Sequence, residues 1–160
     1  MLEISNGPVR IASADDADSL LRMCRMIHAE SKTPEPFSAD RTREVLEKAL
    51  PHGRNDINAG HTWIAVIGDP GRLKASSYLT VETPLFSSVP FLHQLWAFVD
   101  PEHRRSPYFQ NLRSFAERRA DELKMEARLI ASHPAMDRLY GRMERYQPVG
   151  TVYSYRGDAL

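Results

Sequence analysis

Phe91-Leu92-His93-Gln94-Leu95-Trp96-Ala97-Phe98-Val99, followed at once by Asp100-Pro101-Glu102-His103-Arg104-Arg105-Ser106-Pro107, is the stretch that decides the fold. Its first nine residues are apolar on both sides apart from His93 and Gln94, which is the pattern of a strand covered on both faces at the centre of a sheet. Asp100-Pro101 stops the strand. Ser106-Pro107 then opens a helix, with Ser as the cap and Pro in the first helical position, predicted to run to about Lys124. A strand, a sharp turn and a helix N-terminus in succession gather backbone N–H groups and the positive end of a helix dipole, and this turn adds Arg104 and Arg105. Such a place suits a phosphate. The competing reading is a basic surface turn that does no more than cap its helix.

Upstream, Val9 and Ile11 alternate with polar neighbours as a short strand does. Ser13-Ala14-Asp15-Asp16 then offers capping side chains to a helix with Leu20, Leu21, Cys24 and Ile27 on one face. Pro34 and Pro36 break the chain. Ser38-Ala39-Asp40 starts a second helix with Val45, Leu46 and Leu50, ended by Pro51 and Gly53. After a loop through Gly60, the apolar run 63–67 reaches Asp69-Pro70-Gly71, a turn in which Pro sets one dihedral and Gly tolerates a positive φ, so 73–82 should return as a hairpin partner. The segment 73–82 should pair with Phe91–Val99, which should diverge from a strand at 127–132. A helix over 134–145, with Met136, Leu139, Tyr140 and Met143 on one stripe, and a last strand over 149–155 complete the chain.

Length and composition narrow the function. At 160 residues, 42% apolar and 26% charged, the chain has the size of one domain, taken as 1–160. Lys plus Arg is 21 and Asp plus Glu is 21, so the net charge is zero and the bulk electrostatic case for nucleic acid is removed. The last third is locally positive, with 11 basic against 8 acidic residues over 101–160. No apolar stretch nears the roughly 20 residues of a membrane helix, and the first eight residues lack a signal pattern, so the expected location is cytoplasmic. One cysteine, Cys24, and six histidines never two, three or four apart give no disulfide and no local metal motif. Cys24 reads as a small buried hydrophobe.

The order of elements, Val9-Arg10-Ile11-Ala12 with its acidic cap, Val99-Asp100-Pro101-Glu102-His103-Arg104, Phe115-Ala116-Glu117, and Leu139-Tyr140 followed by Pro148-Val149-Gly150 together resemble the GCN5-related N-acetyltransferases. The resemblance spans nearly the whole chain. It implies an α/β (α+β) fold, the GNAT-like acyl-CoA N-acyltransferase fold: a mixed, mostly antiparallel sheet of six to seven strands flanked by about four helices. The fourth and fifth strands would be parallel and splayed. Acetyl-CoA is implied as co-substrate, held by Phe98, Val99, Arg104, Arg105, Ser106, Tyr108, Phe109 and His133. A primary amine would attack directly in a ternary complex, with no cysteine intermediate. Tyr140 matches the family's usual general acid, since a phenol can give a proton to the departing thiolate. Attack needs an unprotonated amine, and His93 and Glu82 are the candidate bases, with His133 a third. Each also has a structural reading: Tyr140 as a core aromatic, His93 as a hydrogen-bonded strand residue, Glu82 as an exposed strand end.

The loop departs from the family pattern Q/R-x-x-G-x-G/A. Here it reads Arg104-Arg105-Ser106-Pro107-Tyr108-Phe109. Pro107 removes an N–H donor and Phe109 adds bulk where small residues let the backbone approach a pyrophosphate. The anion site stays open if Phe109 turns inward with Leu112 and Ala116. If it does not, the rival reading gains: a non-catalytic protein of this fold, such as a bacteriophage particle component, with a homodimer or an assembly partner in place of an acceptor.

Overall fold

The structure, a computed structural model, describes residues 9–31, 33–51, 62–130 and 134–149. The chain divides into two units, Met1–Ile130 and Ala131–Leu160. In the first, β1 (Val9–Ile11) leads through a 3-10 turn into α1 (Ala17–Ser31) and α2 (Ala39–Ala49). Then come β2 (Thr62–Asp69), β3 (Arg72–Glu82), β4 (Phe91–Val99), α3 (Tyr108–Leu123) and β5 (Ala127–Leu129). The second unit contributes α4 (Pro134–Tyr140).

The five strands lie in sequence order, antiparallel except for the last pair. Parallel neighbours need a crossover, and α3 is that crossover. β4 is internal, between β3 and β5, because its two apolar faces are both covered. On one side Trp63, Ala65, Ile67, Leu79 and Leu92 pack with Leu112, Phe115 and Ala116 of α3. On the other, Ile64, Val66, Leu73 and Phe98 pack with Leu20 and Met23 of α1 and Leu46 of α2. Gly71 closes the β2–β3 turn at φ 79°, which the Asp69-Pro70-Gly71 pattern called for. At Gly68, a β-bulge site with φ 112°, an added Cβ would meet the Arg72 carbonyl at 2.5 Å.

Three boundaries differ from the sequence reading. Five strands are present among the described residues, against six to seven expected; of the expected strand 149–155 only Val149 is described, and it is not in a strand. β5 ends at Leu129, with residues 131–133 outside the described set. α4 stops at Tyr140, five residues short of the expected Arg145, because Gly141 follows and the chain goes on in turns of i to i+3 type, Arg142 N–H to the Leu139 carbonyl and Met143 N–H to the Tyr140 carbonyl.

Candidate active site

A single extra residue shapes the middle of β4. Tyr78 pairs with Trp96 and Leu79 with Gln94, so Leu95 has no partner on β3 and forms a bulge. The bulge moves every later side chain to the opposite face. Leu92 points to the α3 core, whereas Phe98, which strict alternation would put beside it, lies in the core under α1 and α2. Trp96 follows Phe98, donating from Nε1 to Ser76 Oγ at 3.2 Å and meeting the Tyr78 ring at 4.8 Å between centroids.

Directly after the bulge, β4 and β5 part. They pair only over Leu92–Gln94 and Ala127–Leu129, with one further bond from Ile130 N–H to the Gln94 carbonyl at 3.3 Å. From Leu95 to Val99, β4 has no strand neighbour on that side among the described residues. A wedge opens along the β4 edge, and Leu95 and Ile130, each more than one-third exposed, stand at its apex. The unpaired backbone groups of β4 there can receive an extended, amide-bearing chain.

At the wide end of the wedge lies the basic turn. Asp100 organises it: its N–H donates to the Lys74 carbonyl at 2.8 Å, its carbonyl accepts from His103 N–H at 2.8 Å, and its side chain accepts from Glu102 N–H at 3.1 Å and from Arg22 at 3.2 Å. Ser106 Oγ donates to the His103 carbonyl at 2.5 Å and accepts weakly from Tyr108 N–H at 3.4 Å. Pro107 is therefore the cap residue, and the helix begins one residue later than the sequence suggested. Tyr108 and Phe109 pack against the α3 core with Leu112 and Ala116, which is the inward orientation that the Phe109 substitution requires. No acidic side chain stands in the first turn of α3, so the dipole end is not neutralised from within the helix.

The two arginines part company. Arg105 is exposed at the turn. Arg104 is engaged elsewhere, in an ion pair with Glu30 near the end of α1, a bond to the Val99 carbonyl at 3.3 Å, and a cation–π contact with Phe98 at 5.7 Å. Glu30 carries no sequence signal, being 74 residues away. A pocket of about 570 Å³ lies on the α1 side of the same turn, between Arg22, Lys74, Asp100 and His103, and there Arg22 and Asp100 are already paired.

Of the candidate bases, His93 and Glu82 are brought together: Nδ1 lies 3.0 Å from Glu82 Oε2, within ion-pair range though off the direction of a hydrogen bond. His133 lies outside the described residues. Tyr140 ends α4 in the second unit, its ring stacked on Tyr146 at 5.2 Å. Among the described residues no group of three His, Cys, Asp or Glu could hold a metal, and no helix is long and apolar enough to cross a membrane. Burial pushes the Cys24 thiol up to about 11, which keeps it protonated and inert at neutral pH.

The fold that carries this arrangement superposes on those of solved acetyltransferases. A possible acetyltransferase from Clostridium difficile 630 superposes with a TM-score of 0.70 at 18% identity, covering 93% of this chain and 96% of that one. A GCN5-related N-acetyltransferase from Ralstonia eutropha JMP134 gives 0.68 at 21% identity, over 93% and 98%. The chain has the GCN5-related N-acetyltransferase fold. A third protein of this GNAT fold, a predicted acetyltransferase from Clostridium acetobutylicum solved with acetyl-CoA, matches at 0.63 and 12% identity, over 89% and 94%. No protein-family model matches the sequence, and comparison with curated proteins finds no match either. The GNAT fold is thus legible in three dimensions at identities too low for sequence comparison.

Proposed function

We propose that the protein is an N-acetyltransferase that moves an acetyl group from acetyl-CoA to a primary amine. The observation that carries the reading is the wedge after the Leu95 bulge, which runs into the basic, acid-free start of α3. The pantetheine arm would lie along β4 beyond Leu95. The pyrophosphate would meet Arg105, Ser106 and the N–H groups of the first turn of α3, with Phe98 and Val99 forming the strand end beside it. Arg104 would join once it leaves Glu30. His133 keeps the role that the resemblance gives it.

In the reaction the amine nitrogen attacks the thioester carbonyl carbon, an N–C bond forms and the C–S bond breaks. The proton of the acceptor ammonium passes to the Glu82–His93 pair. With Nδ1 turned to Glu82, Nε2 is the ring nitrogen able to take it. Tyr140 supplies the proton that the departing thiolate needs, as the resemblance implies, and the second proton that the nitrogen sheds as the amide forms restores the phenol.

Calorimetric titration with acetyl-CoA, followed by a thiol-release assay over a panel of amines, tests the proposal. Micromolar binding with amine-dependent thiol release is the expected result. The second reading, a non-catalytic assembly protein, is favoured by the engagement of Arg104 with Glu30 and by the N–H that Pro107 lacks. It takes over if acetyl-CoA neither binds nor releases thiol.

A further inference from the structure

The bulge leaves a row of partly exposed polar and aromatic side chains on the sheet face shared with α1 and α2, with the buried Phe91 at its far end. Trp96 and Tyr78 meet at 4.8 Å. Thr62 Oγ1 lies 3.1 Å from Thr80 Oγ1. Thr80 is the register partner of His93, which approaches Glu82 at 3.0 Å, and the His93 ring stands 5.7 Å from that of Phe91. Arg128 closes the row, 4.0 Å above the Phe91 ring and tied to Glu126 at 2.9 Å.

We infer that the acceptor bound on this row is a small monoamine with a flat, aromatic body, and that polyamines and aminoglycosides are poor acceptors. The inference rests on the transferase reading and narrows its acceptor. Its basis is a count of charges. Within the row, among the described residues, Glu82 is the one carboxylate not held by an arginine, so one ammonium can be neutralised. A second or third ammonium would face hydroxyls, His93 and the Arg128 guanidinium, and each desolvated charge without a partner weakens binding. The aromatic edges of Trp96 and Tyr78, both partly exposed, match a flat apolar body instead. Thr62 and Thr80 offer neutral hydrogen bonds that are indifferent to charge.

The test titrates 2-phenylethylamine, spermidine and kanamycin separately into the protein, alone and with CoA present, and measures thiol release from acetyl-CoA with each. The expected result is 2-phenylethylamine binding about tenfold or more tightly than either polycation, with turnover in the same order. Glu82→Gln should weaken 2-phenylethylamine by roughly tenfold, and acetyl-CoA binding should stay within about twofold. Thr80→Val, which keeps the charge, should weaken the amine by only about two- to fivefold. Spermidine or kanamycin binding as well as the monoamine overturns the inference, and so does full amine affinity in Glu82→Gln or the absence of binding by all three amines. A blank acetyl-CoA titration overturns the transferase reading instead, and the amine titrations into the protein alone still decide the acceptor class.

Discussion

Asp16 is fully buried, and both of its oxygens accept from Arg10 at 2.8 Å while the Ser13 N–H donates to it at 2.9 Å. Burial alone would raise its pKa, but the bonds from Arg10 and Ser13 outweigh that and hold the carboxyl below the usual range. A folded value below the unfolded one makes the contribution complete above the ordinary carboxylate pKa, and it is lost as pH falls through the folded value. Asp16→Asn should cost about 2 kcal/mol at pH 7, less than a fully buried pair because Arg10 is one-third exposed, and the difference from wild type should fade as the pH falls below the ordinary carboxylate range in urea titrations. Glu30 acts in the other direction, since it competes with any phosphate for Arg104. Glu30→Gln should therefore tighten acetyl-CoA by about two- to fivefold in calorimetry, and unchanged or weaker binding would show that Arg104 takes no part. Tyr140→Phe should lower turnover about 100-fold with acetyl-CoA affinity within a few-fold, because only proton donation in the transition state is removed. Full turnover in that variant would make the tyrosine a packing residue.

At the scale of elements, the β4 bulge is the feature on which the fold and the site both depend. Were Leu95 paired in regular alternation, Trp96 and Phe98 would turn toward α3 and Ala97 and Val99 would come under α1 and α2, exchanging large and small side chains between two packed cores. Deleting Leu95 leaves both faces as they are and removes only the bulge, so it should cost about 2 kcal/mol or less by urea denaturation while weakening acetyl-CoA binding about tenfold or more. A deletion that leaves acetyl-CoA binding intact would mean that the parting of β4 from β5 does not depend on the bulge. α3 was readable as an element, from the Ser106-Pro107 start to the Lys124 end, where Lys124 adopts a left-handed conformation at φ 54°. The inward turn of Phe109 follows from the same helical spacing that joins it to Leu112 and Ala116. Leu95 gave no such warning, because a leucine in an apolar run looks alike whether it is paired or extruded.

Across the whole first unit, the sheet separates two cores that share no side chains, one under α3 and one under α1 and α2. Leu112→Ala and Leu20→Ala, each at a fully buried position on opposite faces, should each cost about 2–5 kcal/mol, and the double variant should come within about 0.5 kcal/mol of their sum. A large departure from additivity in chemical denaturation would show that strain passes through the sheet. What the sequence by itself determined is the local and periodic part. The apolar run of β4, the Asp69-Pro70-Gly71 hairpin, the Ser38 cap and the parallel step through α3 were all legible, because each is decided by neighbours a few residues apart. The pairing of His93 with Glu82 was half legible, since adjacent strands were predicted and only register brings the two to 3.0 Å. The position of the bulge, the point where β4 and β5 part, and the attachment of Arg104 to Glu30 were decided by tertiary structure alone. Each arises where segments distant in sequence compete for the same space, hydrogen bonds or charge, and no local pattern records the outcome of that competition.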